Sequence, residues 1–265
     1  MASERVGIAT AREEIPAGPI TQRGLSVVLP AYNEEAVIGQ TVTRCLGVLA
    51  ALAPDFEVIV VDDGSRDRTG AIADALASAH PQHVRVIHNR PNRGYGGALM
   101  AGFEAAAKEL AFFMDSDGQF DIADIATLLA LREQGQRVVL GYRQHRNDPP
   151  IRLLNAWGWN RLVRLLFGVR VRDVDCAFKL FDTALMRLCA IHAEGAMWNT
   201  ELLVKLRTLG IPFVEVAVGH YPRQHGSATG ANLRVIVHAF RELLRLRGKL
   251  KGWRASLPPG ALPRP

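Results

Sequence analysis

Short apolar runs rich in β-branched and aromatic residues alternate with longer stretches of helical spacing through the first half of the chain. Leu25–Leu29 (LSVVL), Phe56–Val61 (FEVIVV), Val84–Ile87 (VRVI), Leu110–Met114 (LAFFM) and Val138–Leu140 (VVL) predict strands. Between them, Ala36–Leu52, Thr69–Ala79, Gly97–Lys108 and Ile122–Glu133 carry the spacing of helices. This alternation predicts crossover units, and so an α/β fold with a mostly parallel sheet and helices on both faces. In such sheets ligands bind beyond the carboxyl ends of the strands. The polar clusters stand there: PAYNEE after the first strand, DDGSRD after the second, NRPNRGYGG after the third and DSDGQ after the fourth.

The rhythm changes after residue 142. An Arg-punctuated amphipathic stretch covers Ile151–Phe167, followed by a short strand at Phe178–Phe181, a helix over Thr200–Leu209, a strand over Phe213–Val218 and a basic helix over Ala231–Lys251. This half reads as a C-terminal amphipathic, acceptor-side extension of the same domain. The expected organisation is a flexible tail over residues 1–22, one domain over 23–252 and a disordered Pro-rich tail over 253–265.

Composition narrows the class. Three cysteines, Cys45, Cys176 and Cys189, lie far apart with no C-x-x-C pair, which argues against a disulfide framework or a structural zinc site and suits a reducing cytoplasm. The first twenty residues carry acids and no long apolar stretch, so they do not read as a signal peptide. Nowhere do 18 consecutive apolar residues occur, so no bilayer-spanning helix is expected. The net charge of +6 is modest, and its placement says more than its size.

The strongest chemical signal is Asp115-Ser116-Asp117, directly after LAFFM. Two carboxylates at i and i+2, lifted off a strand end, suit a hard divalent cation, with Gln119 as a further oxygen ligand. Oxygen ligands do not separate Mg²⁺ from Mn²⁺. A cation held there bridges a nucleotide diphosphate and offsets charge on the leaving group. Asp63, in the DDGS turn, is placed to receive a ribose hydroxyl or a base edge, while Ser65, Asp67 and Thr69 suit capping of the next helix. After the first strand, Tyr32 offers a ring to stack on a base and Glu34 an acceptor; the alternative for Glu34 is a first-turn acid favoured by the helix dipole. Gly94-Tyr95-Gly96-Gly97 resembles a phosphate loop but lacks the third glycine of a dinucleotide fingerprint, and reads instead as a tight loop with backbone near a diphosphate or sugar.

LPAYNEE, VDDGSRDRTG, NRGYGGAL, DSDGQ, GYR, DVDCAFKL and PRQHGSATG together resemble the family 2 glycosyltransferases of GT-A fold, in the branch of dolichol-phosphate mannosyltransferase and the bacterial polyprenyl-phosphate glycosyltransferases. The match runs in order from Leu25 to Leu244. The resemblance implies that Pro30, Tyr32, Glu34, Val61 and Asp63 hold the nucleoside of a nucleotide-sugar donor. It places Asp115, Ser116 and Asp117 against the diphosphate and the metal, Arg143 near a donor or acceptor phosphate, and Arg223 as a phosphate-binding arginine. Six residues after Arg223, where the eukaryotic mannosyltransferases carry lysine, this chain has Thr229. Transfer is expected to invert the anomeric carbon.

Two segments bear on the acceptor. Tyr142–Arg172 holds seven arginines against one acid, Asp148, and His220–Arg254 holds eight Lys or Arg against Glu242. Leu153, Leu154, Trp157, Leu165 and Phe167 accompany the first set, and Val235, Ile236, Phe240, Leu243 and Leu244 the second. These segments favour reversible contact with an anionic membrane at the cytoplasmic inner face over a purely soluble basic face. Nucleic-acid binding is disfavoured, since the aromatics sit among leucines and not among the basic residues. A lipid-phosphate acceptor is already an anion and needs no base; a sugar hydroxyl does. Glu201, in MWNTELL, is the candidate base, with Asp173 or Asp175 behind it, or else a structural acid at a helix start. Asp117, Arg143, Glu201 and Arg223 thus form the expected catalytic set. A nucleotidyltransferase is disfavoured by the absence of lysine from PAYNEEAVIG, and a catalytically silent binder by the intact D-x-D.

Overall fold

The computed structural model describes residues 18–144, 150–193, 195, 197–223 and 233–257. Five strands take the predicted places: β1 (Leu25–Ala31), β2 (Phe56–Asp62), β3 (Val84–His88), β4 (Leu110–Met114) and β5 (Val138–Arg143). Two more, β6 (Phe178–Asp182) and β7 (Val214–Val218), complete a seven-stranded sheet of order β3-β2-β1-β4-β6-β5-β7. β1 lies inside it, buried along its whole length and paired in parallel with β2 and β4. A strand covered on both faces reads as a continuous apolar run, which is why LSVVL shows no alternation.

β6 is the exception to the parallel rule. It runs antiparallel between β4 and β5, so the returning chain fills the gap that a further crossover unit would occupy. The sequence located this strand but not its direction.

The helices are α1 (Ile38–Leu52), α2 (Thr69–Ala79), α3 (Gly94–Ala105), α4 (Ile125–Glu133), α5 (Pro150–Phe167), α6 (Thr183–Cys189), α7 (Met197–Thr208) and α8 (Leu233–Ser256). A 3-10 turn at Ile122–Asp124 precedes α4, with the Asp121 side chain accepting from the Ala123 N–H. α6 has no counterpart in the sequence reading, because seven residues are too few to show helical periodicity. The expected loop Gly94–Gly97 is corrected: these glycines open α3. The Ile20 and Thr21 N–H groups donate to the Leu52 carbonyl, and α8 runs to Ser256. Residues 1–17 and 258–265, the bulk of the two expected tails, lie outside the described residues.

α3 packs against β1 and β2 at close range, and Gly102 permits it. A Cβ there would stand 2.3 Å from Val28 Cγ1 and 3.2 Å from Val61 Cγ2. Trp198 of α7 closes the other side, stacked on Phe103 at 5.6 Å and edge-on to Phe113 at 5.1 Å. The three cysteines are buried and unbridged, and burial pushes each thiol up to about 12.

Gly102→Ala should cost about 1–3 kcal/mol through overpacking against Val28. Urea unfolding is the check, and an unchanged midpoint would show that α3 can lift off the sheet without penalty.

Candidate active site at the carboxyl ends of the strands

The clusters PAYNEE, DDGSRD, NRPNRGYGG and DSDGQ converge at one end of the sheet, because parallel strands deliver their carboxyl ends there. The first two loops are joined to each other. The Asn33 N–H donates to Ser65 Oγ and the Arg66 N–H to Asn33 Oδ1, at 3.0 and 2.8 Å. The Glu34 N–H donates to Thr69 Oγ1 and the Arg68 N–H to Glu35 Oε2, at 2.8 and 3.0 Å. Asn33 sits at φ +57°, a left-handed conformation that asparagine tolerates better than most residues. Of the three expected caps, Asp67 accepts from the Thr69 N–H, whereas Ser65 and Thr69 serve the neighbouring loop.

Beneath this zipper lies the other acid of the DDGS pair. Asp62 is buried and accepts from the Ser65 N–H at 3.0 Å and from His88 at 2.9 Å. Burial drives its carboxyl up, but the hydrogen bonds from Ser65 and His88 outweigh burial and hold it below the usual range. His88 is raised in turn by its bonds to Asp62 and Asp74.

Asp63 is buried, and its Oδ1 receives Asn89 Nδ2 at 2.8 Å and the Arg93 N–H at 2.9 Å. Its other oxygen carries no hydrogen bond among the described residues. Tyr32 is 46% exposed, with its ring available. Pro30 and Val61 are buried at the floor of the site: Val61 faces Gly102, and the Pro30 carbonyl accepts from Ser116 Oγ at 2.7 Å. The same bond turns the Ser116 hydroxyl away from the site, so Ser116 contributes only its backbone.

Asp115 and Asp117 stand together at the end of β4, followed by Gly118 at φ +76°. Burial and the Asp117 charge push Asp115 up to about 7, against the pull of Tyr95, Arg143 and Lys179. Tyr95, from the glycine cluster, hydrogen-bonds to Asp115. Lys179 is fully buried and donates to Asn199 Oδ1 at 2.9 Å and to the Val174 and Cys176 carbonyls. Sequence reading assigned neither Tyr95 nor Lys179. The signal for Lys179 was a lone lysine inside the apolar stretch CAFKLF.

The two arginines are each held by an acid. Arg223 contacts Glu34 at 2.5 Å, with its Nε 3.8 Å from Asp117. Burial keeps the Glu34 carboxyl above its ordinary range, and Arg223 opposes that rise. Arg143 makes a two-pronged pair with Asp173 at 2.6 and 2.8 Å. Gln119 also serves as a tether: its Nε2 donates to the Tyr221 carbonyl at 3.1 Å, and its backbone carbonyl accepts from the Tyr221 N–H at 2.9 Å. This clamp brings the segment carrying Arg223 over the acidic turn. A cavity of about 730 Å³ opens on the α1 side, lined by Thr41, Arg44, Asp117, Asp121 and Tyr221, and of the expected donor-binding residues it reaches only Asp117.

Could this site take a divalent cation? Among the described residues no group of three His, Cys, Asp or Glu could hold one. Two half-buried carboxylates, one pushed up to about 7 by the other and by burial, form a donor set that a hard cation relieves. The fit is to a cation that draws its remaining oxygens from Gln119, water or a bound phosphate.

Glu201 is corrected. It is buried in a pair with Lys205 at 2.6 Å, and its Oε2 accepts from the His192 and Ala193 N–H groups. Lys205 in turn lies 4.9 Å from the Trp253 ring of α8. These partners take up both oxygens and give Glu201 the structural role that the sequence left open. The segment with Thr229, and the side chains of Val235, Ile236 and Phe240, lie outside the described residues.

Known proteins resemble this chain in sequence and fold. A model of glycosyl transferase family 2 matches residues 26–192. Polyprenol monophosphomannose synthase of Mycolicibacterium smegmatis is 30% identical, over 87% of this chain and 89% of that protein. Dolichyl-phosphate beta-glucosyltransferase of Drosophila melanogaster is 36% identical, over 73% of this chain and 66% of that protein. Glucosyl-3-phosphoglycerate synthase from Mycobacterium tuberculosis, solved with Mn²⁺, UDP and phosphoglyceric acid, shares the fold at a TM-score of 0.63 and 23% identity, over 90% of this chain and 80% of that one. The architecture is the expected GT-A arrangement.

Two outcomes follow from the geometry. The raised His88 contributes stability that is complete below its unfolded pKa of about 6.5 and disappears as pH rises through the folded value. Urea midpoints should therefore fall more steeply towards alkaline pH in the parent than in His88→Asn; parallel curves would remove the Asp62–His88 linkage. Glu201→Gln leaves a buried Lys205 without its partner and should cost about 3–5 kcal/mol in unfolding. Turnover per folded molecule should survive, and a collapse of kcat in an intact fold would return Glu201 to the chemistry.

Proposed function

The chain belongs to glycosyl transferase family 2, and from that premise we propose that it moves a hexose from a nucleotide diphosphate sugar to a polyprenyl phosphate at a membrane surface. The observation that carries this reading is the arrangement at the end of β4. Two carboxylates, Asp115 and Asp117, are flanked by Arg223 and Arg143, each arginine held in place by its own acid. Such a site has room for opposite duties: a cation and a donor diphosphate at the acids, a second phosphate at the arginines. The printed names of the relatives support the acceptor class, since they describe polyprenol and dolichyl phosphate enzymes.

In this reading Tyr32 stacks on the base, Glu34 and Asp63 receive nucleoside donors, and Asp115, Asp117 and Gln119 hold Mg²⁺ or Mn²⁺. The cation supplies charge compensation for the departing nucleoside diphosphate. An oxygen of the acceptor phosphate forms a bond to the anomeric carbon as the bond from that carbon to the diphosphate breaks, with inversion. The electron pair leaves with the nucleoside diphosphate, and no proton needs to move. Arg143 and Arg223 orient the acceptor and cancel its repulsion from the donor. The engagement of Glu201 with Lys205 favours this acceptor over a sugar hydroxyl, which would need a base.

The same reading puts the domain at the cytoplasmic inner face. Among the described residues no helix is long and apolar enough to cross a membrane, and the basic helices suit contact with an anionic surface.

Nucleotide release from GDP- and UDP-sugars with Mg²⁺ or Mn²⁺, with and without a short polyprenyl phosphate, tests the proposal. Release should require both the metal and the lipid phosphate, and Asp117→Asn should lower it by about a hundredfold or more. Release that ignores the lipid would move the acceptor to a hydroxyl, and full activity of Asp117→Asn would remove the metal role.

A further inference from the structure

The outward face of α5 is apolar and basic together. Leu154, Trp157 and Leu165 are 60%, 63% and 80% exposed, and helical spacing sets them in one stripe with the exposed Arg161 and Arg164. Val163, on the opposite side, is fully buried. α8 shows less of it: over its described side chains Leu243 and Leu246 are buried, Leu244 is the one large apolar side chain exposed, at 61%, and the helix packs against α7. Among the described residues the larger apolar surface left uncovered is therefore on α5.

A cavity of about 500 Å³ opens where α5 ends. It lies by the start of β7, whereas Val218 at the other end of β7 pairs with Arg143 of the active site. Arg164, Arg170 and Arg207 line it beside the apolar Ile211 and Phe213, with no acidic residue in the wall. Arg207 is fixed in place. Its Nε donates to the Phe167 carbonyl at 3.0 Å, capping α5. Its guanidinium lies over Gly168, at φ +70°, where a Cβ would come within 2.7 Å of Nη2. Three cations converging without a carboxylate repel one another, and an anion between them cancels that repulsion. The wall is also half apolar, so it suits an anion carried on an amphiphile.

We propose that this cavity binds the phosphate headgroup of an anionic phospholipid while the α5 stripe enters the headgroup layer. The site is separate from the donor and acceptor positions. It deepens the membrane-surface reading, on which it rests, by naming the lipid class and the residues that meet it. Leu165 and Trp157 supply the apolar contact, and Arg164, Arg170 and Arg207 the charge.

Vesicle co-sedimentation of the full chain, with no donor or acceptor present, is the test. The parent should bind mixed phosphatidylcholine–phosphatidylglycerol vesicles well and pure phosphatidylcholine vesicles poorly. Arg164→Gln with Arg170→Gln, two exposed positions, should weaken binding to mixed vesicles by about thirtyfold. Leu165→Gln should weaken it as well. Arg66→Gln with Arg187→Gln, which removes equal charge outside the cavity, should do much less; an equal loss would show diffuse attraction and overturn the site. Suppose instead that inorganic phosphate raises Tm in an Arg170-dependent way while neither vesicle binds. The ligand is then a free phosphate and the lipid assignment fails. Self-association abolished by Leu165→Gln would make the stripe a contact between copies and also overturn it. Because no sugar is transferred in this assay, its failure is distinguishable from failure of the lipid-phosphate acceptor reading.

Discussion

Two carboxylates one residue apart, in a site that excludes much of the water around them, repel each other, and the structure about the end of β4 is arranged around that repulsion. Asp115 feels it most, being raised by both burial and Asp117. Lys179 answers from below, buried against the Val174 and Cys176 carbonyls and Asn199. Arg143 answers from the side and Arg223 from above, and Tyr95 donates a hydrogen bond directly. Removing water strengthens each of these forces, which makes the site sensitive to any added cation or phosphate.

None of the three cations is left loose. Arg143 is held by Asp173, Arg223 by Glu34, and Lys179 by backbone carbonyls and an amide. A side chain tethered in this way keeps its direction before substrate arrives, so little reorganisation remains for the reaction. The tethers also explain why Asp173 of DVDCAF and Glu34 of PAYNEE stand where they do: each holds an arginine.

The second half of the chain makes this arrangement possible. β6 returns antiparallel beside β4, so Lys179 faces the site from a strand that runs against its neighbours. Gln119 and Tyr221 exchange hydrogen bonds across a hundred residues of sequence and bring the Arg223 segment over the acidic turn. Glu201 and Lys205 meanwhile fasten α7 to the segment before it, and Trp253 of α8 covers that pair.

Read alone, the sequence determined the α/β class, five strands nearly to their ends, and the gathering of PAYNEE, DDGS and DSDGQ at one edge. Each rests on short-range rules: apolar runs mark buried strands, and parallel crossover units put their carboxyl ends together. Ordered motifs added the family and singled out Asp115, Asp117, Arg143 and Arg223. Only the tertiary structure decided which polar atoms point inward. Ser116 and Asp117 differ by one position, yet one hydroxyl turns to Pro30 and one carboxylate turns to Arg223. Glu201 reads as either a candidate base or a structural acid until Lys205 and two backbone N–H groups take its oxygens. Lys179, Asp62 and the direction of β6 were hidden for the same reason: their meaning depends on partners far away in the chain, and spacing along a sequence does not encode contact across a fold.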